Sequence, residues 1–143
     1  MAKKQSNLGF TLLELLIVVA IIGILVSFIY PNYTKYSQGT YRTQAQVDLL
    51  DFATAMEKHK ATTFSYKGAA GTEATPTDTG VPWIFSEQSP ANNPTAEKVY
   101  SLTIHDVGSN GRTFEIRATP YASGPVGSGS MKEGMLSYFS DGR

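Results

Sequence analysis

Residues 10–30 read FTLLELLIVVAIIGILVSFIY, and Glu14 is the only charged residue among them. At roughly 1.5 Å per residue this segment makes a helix of about 31 Å, close to the roughly 30 Å hydrocarbon core of a bilayer. It is apolar on nearly every face, so it needs lipid or other helices around it. We therefore predict a transmembrane helix over residues 10–30. Residues 1–9 are a polar leader in which Lys3 and Lys4 favour a cytoplasmic N-terminus.

A removable secretory signal peptide is the alternative interpretation of the apolar segment. Such a peptide carries small residues at a cleavage site after the apolar stretch. Here the segment ends in Ser27-Phe28-Ile29-Tyr30-Pro31, which contains no A-x-A pattern. We therefore expect the apolar helix to stay on the mature protein.

Glu14 is the unusual residue of the apolar segment. A carboxylate inside a membrane span costs on the order of 3 kcal/mol, so an acid at this place is a candidate functional residue. Two interpretations remain open. Glu14 lies near the end of the span and reaches the interface, or a positive group from another chain pairs with it on assembly. The second has a clear physical basis, because opposite charges attract strongly at low dielectric and each is costly alone.

The order of leader, glycine, acid and apolar run carries a resemblance. Gly9-Phe10-Thr11-Leu12-Leu13-Glu14, after a short basic leader, resembles the class III signal of type IV pilins and pseudopilins. The resemblance implies that prepilin peptidase cuts between Gly9 and Phe10 on the cytoplasmic side and methylates the new amino group of Phe10. It also implies that Glu14 pairs with the Phe10 terminus of a neighbouring subunit and helps to set the register of the fibre.

The helix is predicted to continue beyond the membrane, over residues 31–61. Pro31 lacks an N–H and clashes with the preceding turn, so we expect a bend there. Gly23 and Pro31 both lie where pilins carry helix-weakening residues. The second half of the helix is amphipathic and needs a small sheet to cover its apolar stripe. That stripe consists of Ala45, Leu49, Phe52, Ala53 and Met56.

The rest of the chain is predicted to be a connecting loop followed by a sheet. Residues 62–98 hold four of the seven prolines and are interpreted as a variable loop, with Trp83 as a core residue. Residues 99–143 hold the sheet and a C-terminal loop, and Asn110-Gly111 is a hairpin signal. Three runs alternate between apolar and polar residues: Val99–Asp106, Arg112–Thr119 and Gly134–Ser140. The predicted fold is α+β, with the long N-terminal helix packed on an antiparallel meander of about three strands.

The C-terminal part also carries a resemblance and a departure from it. From Val99 onward, the Tyr-x-Leu-Thr-Ile and Arg-Ala-Thr-Pro stretches resemble the small PilE-like minor pilins. Many pilins close this region with a disulfide, but this chain has no cysteine. Residues 121–133 occupy the comparable place without that bond, so we expect a softer C-terminal edge.

Cofactor sites and catalytic sites are not expected. Without cysteine, and with His59 and His105 far apart in sequence, no metal-ligand spacing is recognisable. The glycine-rich run over residues 124–130 lacks the Gly-Lys-Ser/Thr ending of a phosphate-binding loop. No nucleophile, histidine and acid arrangement stands out, so the chain is not expected to be an enzyme.

The sequence therefore predicts a structural subunit of a type IV pilus, and among such subunits a minor pilin. It would support pilus-dependent motility, adhesion or DNA uptake. Its expected partners are other pilin subunits, prepilin peptidase, the inner-membrane assembly platform and membrane lipid before assembly. Its expected location is the inner membrane, as a single-pass protein, before assembly and the extracellular pilus afterwards.

Two alternatives stay open. A type II secretion pseudopilin shares the N-terminal chemistry, although the chain has no acidic C-terminal loop like the calcium-binding loop of major pseudopilins. A DNA-binding pilin needs a basic patch, to which Lys58, Lys60 and Lys67 could contribute. Basic and acidic residues number 12 each, and cleavage of the leader removes two lysines. Direct nucleic-acid binding is therefore the less favoured alternative.

Overall fold

The computed structural model describes residues 10–124 and 134–141 and divides into two compact units, one ending at Ser37 and one beginning at Gln38. A single long helix, α1, passes from the first unit into the second. The elements in chain order are α1 (Leu12–Thr63), β1 (Ala70–Gly71), β2 (Pro76–Thr77), β3 (Gln88–Ser89), a 3₁₀ helix (Thr95–Glu97), β4 (Tyr100–Val107), β5 (Phe114–Pro120) and β6 (Leu136–Phe139). The predicted α+β fold is confirmed.

Side-chain and backbone caps define both ends of α1. At its start the Thr11 hydroxyl accepts a hydrogen bond of 3.2 Å from the Glu14 N–H, as in a Thr-x-x-Glu capping box. At its end the Phe64 N–H donates to the Lys60 carbonyl at 2.7 Å, and Phe64 adopts a left-handed φ of 62°. Between these caps the helix continues through Pro31. The bend expected at Gly23 and Pro31 stays a prediction.

The first unit consists of the apolar part of α1. Leu12–Ile29 has a mean hydropathy of 3.0 and none of it is buried within the protein. By length and composition this segment can cross a membrane. The packing that this surface lacks must therefore come from lipid or from other chains.

The second unit has its own hydrophobic core between the amphipathic part of α1 and a sheet. All five residues of the predicted stripe are buried, as are the apolar residues of the first two predicted strands. In the third predicted strand Leu136 is buried and Tyr138 is partly buried against the core, whereas Met135 is 48% exposed. In β4 the buried residues Tyr100, Leu102 and Ile104 alternate with less buried polar ones, and Val107 is buried after a register shift that follows Ile104. This period of two is what a sheet with one face on a helix requires.

The sheet has more strands than predicted. Its order is β3-β4-β5-β6, antiparallel throughout, and β1 and β2 form a separate two-stranded sheet. The extra strand β3 comes from the segment interpreted as a loop, where Gln88 pairs with Ser101 and Ser89 pairs with Tyr100. Two-residue strands carry too few alternating positions to show a period in sequence, which is why they were not predicted.

The predicted core position of Trp83 is wrong. Its side chain is 39% exposed, with the indole N–H donating to the Gly68 carbonyl at 2.8 Å. Phe85 instead stacks on Phe52, with ring centroids 5.2 Å apart. Phe85, rather than Trp83, therefore packs against the core.

A buried carboxylate anchors the segment before β4 to the helix. Asp48 is 4% exposed, and one of its oxygens accepts from the Ser89 hydroxyl at 2.5 Å and from the Ala91 N–H at 3.3 Å. The other oxygen accepts from the Gln44 amide at 3.1 Å. Asp48 thus connects residues far apart in sequence in a chain that has no disulfide.

Replacing Asp48 by Ala is expected to lower the free energy of unfolding of the second unit by roughly 2–3 kcal/mol, because buried donors lose their acceptor. Thermal unfolding of the full chain in detergent micelles, followed by near-ultraviolet circular dichroism, measures this change. Asp51→Ala is the matched control, because Asp51 is an exposed acid on the same helix. Equal stability of the two variants would contradict the anchoring role.

Candidate functional sites

The N-terminal site consists of the residues around the predicted cleavage point. Gly9 lies outside the described residues. Phe10 is 83% exposed and precedes the helix, and Glu14 lies exposed in the first turn of α1. Within residues 10–124 and 134–141, the Glu14 carboxylate forms no hydrogen bond or ion pair. Thr11 caps the backbone N–H of Glu14, so this cap does not use the Glu14 carboxylate. The carboxylate therefore remains available to another chain.

This site can hold one positive group against an apolar surface. Leu12, Leu13 and Leu15 are all more than half exposed around Glu14. When such a surface is covered by lipid or by another helix, water leaves and an ion pair to Glu14 becomes stronger. The predicted pairing of Glu14 with the Phe10 terminus of a neighbouring chain stays a prediction.

A second candidate site lies where α1 ends, and we call it the basic end. It consists of Lys58, Lys60, Lys67 and Arg112. Lys60 donates to the Tyr66 hydroxyl at 3.1 Å and its ammonium lies 4.3 Å from the centre of that ring. Lys60 is therefore already engaged within the protein.

Tyr66 fixes the geometry of the basic end. Its hydroxyl donates to Glu57 at 2.5 Å, and its ring packs edge-on against Phe114, with centroids 4.7 Å apart. Burial raises the pKa of Tyr66, and the hydrogen bond to Glu57 adds to this effect while Lys60 opposes it. The hydroxyl therefore stays protonated at neutral pH and keeps the chain after α1 in place.

The turn between β4 and β5 brings Arg112 to the same end. The Tyr66 N–H donates to the Gly111 carbonyl at 3.0 Å, and a Cβ on Gly111 would lie 2.1 Å from the Ser65 hydroxyl and 3.5 Å from Cγ of Lys67. Only glycine allows this approach, at a φ of 66°. Sequence analysis missed Arg112 as a member of the patch, although its position directly after the predicted Asn110-Gly111 turn was the available signal.

The outer face of the sheet carries a close ion pair that does not belong to either site. Nε of Arg117 lies 2.6 Å from a carboxylate oxygen of Glu115. This hydrogen bond lowers the pKa of Glu115, against the opposing effect of burial. Elsewhere among the described residues, no group of three or more His, Cys, Asp or Glu side chains has an arrangement that could hold a metal ion.

Comparison with known proteins matches both parts of the chain to pilin families. The prokaryotic N-terminal methylation motif matches residues 4–30. The family described as type IV minor pilin ComP, DNA uptake sequence receptor, matches residues 31–127, which is more than half of the chain. No solved structure matches.

Individual relatives include both pilins and a secretion protein. The type II secretion system core protein G of Vibrio cholerae is 37% identical over 60 residues, covering 42% of this chain and 41% of that protein. The type IV major pilin protein PilA of Myxococcus xanthus is 45% identical over 54 residues, covering 38% and 24%. A fimbrial protein of Pseudomonas aeruginosa is 45% identical over 53 residues, covering 37% and 34%.

The chain thus spans less than half of the length of each of these relatives. The resemblance to type IV pilins that the N-terminal residues carry is confirmed by the two family matches. The chain belongs to the type IV pilins, in the family described as type IV minor pilin ComP, DNA uptake sequence receptor.

Proposed function

We propose that this chain is a minor subunit of a type IV pilus, cut by prepilin peptidase between Gly9 and Phe10 and polymerised through the apolar part of α1. Before assembly the subunit spans the inner membrane once, with its N-terminus in the cytoplasm. After assembly it belongs to an extracellular fibre. Its relatives are structural proteins of pili and of a secretion system.

The observation that carries this proposal is the exposed apolar helix. None of Leu12–Ile29 is buried within the protein, while the second unit has a complete core of its own. Burial of apolar surface contributes about 25 cal/mol per Å², so such a helix is stable only in lipid or against other helices. A fibre core made of these helices supplies that burial after the subunit leaves the membrane.

Intact mass and N-terminal sequence of the chain from sheared surface fibres test the proposal. A chain that begins with methylated Phe10 and copurifies with fibres supports processing and assembly together. Its ratio to the most abundant pilin separates a minor from a major subunit. A chain that still begins at Met1, or that occurs only in membranes, would contradict the proposal and indicate a membrane-anchored domain that does not assemble into fibres.

A secretion pseudopilin shares this N-terminal chemistry, and relatives of that kind occur. Deletion of the gene distinguishes the two roles. Loss of pili with normal protein secretion supports the pilus subunit, whereas loss of secretion with normal pili supports a pseudopilin.

Direct DNA binding is the second candidate function, and the basic end is the observation that favours it. The matching family is described as a DNA uptake sequence receptor. Within the described part of the chain, Lys58, Lys67 and Arg112 form no ion pair, so their charges remain available. Such charges bind DNA phosphates by releasing counterions. Exposed Trp83 lies beside this region, with its ring edge-on to His59 at 6.1 Å.

Replacing Lys67 and Arg112 together by Gln is expected to weaken DNA binding and to reduce the slope of log K against log salt by about 2, or about 1 for each lost phosphate contact. The measurement is fluorescence anisotropy of labelled duplexes with the full chain in micelles, over a range of salt concentrations. Arg117→Gln is the control, because Arg117 is paired on the outer face of the sheet. An unchanged slope in the double variant would exclude the basic end as the contact.

A further inference from the structure

A polar groove on the second unit is lined by residues that belong neither to the N-terminal site nor to the basic end. Its volume is about 320 Å³, and its lining includes Tyr41 from α1, Asn93, Glu97 and Lys98 around the 3₁₀ helix, and Tyr121 and Ser123 after β5. None of these residues takes part in the predicted assembly chemistry. The groove is therefore separate from the residues on which the proposals above rest.

Backbone hydrogen bonds hold the wall of the groove in place. The Tyr121 N–H donates to the Val99 carbonyl at 2.8 Å, and the Gly124 N–H donates to the Tyr121 carbonyl at 2.9 Å. A Cβ on Gly124 would lie 3.1 Å from the carbonyl of Lys98, two residues before β4, so the turn packs tightly against this segment. A groove held in this way is formed before any ligand arrives, as small-molecule sites usually are.

Lys98 supplies a positive charge to the lining of the groove. Its side chain is only 15% exposed, and the nearest carboxylate oxygen, on Glu87, lies 3.8 Å away, beyond hydrogen-bond distance. The ammonium lies over the Tyr121 ring, 5.6 Å from its centre. Across residues 10–124 and 134–141, no acceptor completes the hydrogen bonds of this ammonium. The ammonium therefore keeps hydrogen-bonding capacity that an acceptor on an occupant of the groove can use.

The other polar groups select the chemistry of that occupant. The Asn93 amide donates to Glu97 at 2.9 Å, which orients both side chains. Glu97 and Glu87 offset the charge of Lys98, so an anionic ligand gains no net attraction here. The groove offers a donor, an acceptor and a hydroxyl beside two tyrosines, of which Tyr121 is 44% exposed.

We propose that this groove binds a neutral carbohydrate ring. A sugar carries C–H groups on one face, which pack on an aromatic ring, and hydroxyls at its edge, which both donate and accept hydrogen bonds. Tyr121 is the platform, Lys98 donates to a ring hydroxyl, and Glu97 accepts from another. A fibre subunit with this groove would contact glycans on a surface, in addition to any role in assembly or DNA binding.

Saturation-transfer difference NMR on the full chain tests the proposal. The probes are methyl β-glucopyranoside, methyl β-galactopyranoside and N-acetylglucosamine, and the micelles are zwitterionic because glycoside detergents would compete. We expect saturation transfer from the protein to at least one of the three sugars. Tyr121→Ala and Lys98→Met are each expected to weaken binding roughly five- to tenfold, the loss of one aromatic or hydrogen-bonded contact. Tyr121→Phe keeps the platform and is expected to bind normally.

Tyr36→Ala is the matched control, because Tyr36 is 78% exposed and lies outside the groove. Normal binding by Tyr121→Phe and by Tyr36→Ala, together with loss in the other two variants, supports the sugar site. Failure of all three probes to receive transfer would overturn it. Transfer that is equal in wild type, Tyr121→Ala and Lys98→Met would also overturn it, because the contact would then lie elsewhere. Circular dichroism of each variant separates lost binding from lost folding.

Discussion

Replacing Glu14 by Gln is expected to reduce the amount of this subunit in sheared fibres at least about tenfold, with its amount in the inner membrane unchanged. Glu14 lies in the first turn of an apolar helix, and its carboxylate has no partner among the described residues. The proposed pairing with the amino terminus of a neighbouring chain would stabilise assembly in an environment from which water has left. Each factor of ten corresponds to about 1.4 kcal/mol, which is modest for a poorly solvated ion pair. Quantitative immunoblots of the fibre and membrane fractions measure the change.

Gln is the informative substitution because it removes the charge of Glu14 and leaves in place the backbone N–H that Thr11 caps. Gln fits the third helical position of a capping box as Glu does, so the cap at Thr11 is preserved while the charge is removed. Thr11→Ala is the reciprocal control, since it removes the cap and keeps the charge. Normal assembly of Glu14→Gln together with failure of Thr11→Ala would show that capping, rather than charge, is the function of this motif.

Glu14→Leu separates assembly from membrane insertion. Removing a carboxylate from the span makes insertion more favourable by on the order of 3 kcal/mol. A simple membrane anchor would therefore tolerate or gain from this change. We expect the variant to accumulate in the membrane and to be absent from fibres.

Most of the fold could be predicted because its determinants are local patterns. The apolar stripe from Ala45 to Met56 and the alternation in β4 and β5 each repeat over several turns or residue pairs, and all of these residues are buried as expected. Because the second unit has a single core, an element with such a pattern can bury its apolar residues in few other ways. The N-terminal motif could be recognised for a similar reason, since its residues are consecutive in sequence. The roles assigned to Gly9, Phe10 and Glu14 within it stay predictions.

The features that sequence analysis missed depend on contacts between distant residues. Asp48 lies among the residues of the apolar stripe. Its carboxylate accepts hydrogen bonds from Ser89 and Ala91, and no local sequence pattern predicts that these two residues lie beside it. Trp83 was assigned to the core from its hydrophobicity alone, whereas the carbonyl of Gly68 holds it at the surface. Arg112 joins the basic end only because the turn before it contacts Tyr66. Each of these arrangements is set by tertiary packing, which periodicity does not describe.

Replacing Gly9 by Val is expected to abolish removal of the leader, so that the chain keeps residues 1–9 and lacks the N-terminal methyl group. The peptide bond after Gly9 is predicted to be cut at the membrane surface, where a residue without a Cβ lets the backbone approach an enzyme closely. Intact-mass spectrometry of the membrane fraction measures the retained nine residues directly. Gly23→Ala is the matched control, because Gly23 has no atom within 4 Å of an added Cβ, and we expect normal cleavage.

The Gly9 and Glu14 predictions are coupled through a single charge. Without cleavage Phe10 has no free amino group, so Glu14 of a neighbouring chain has no positive partner at that position. We therefore expect Gly9→Val to be excluded from fibres as strongly as Glu14→Gln, and the double variant to be no worse than either single one. Non-additivity of this kind is typical of residues that act as one interacting unit. Recovery of uncleaved Gly9→Val chains in fibres at normal abundance would show that the Phe10 amino group is not the partner of Glu14.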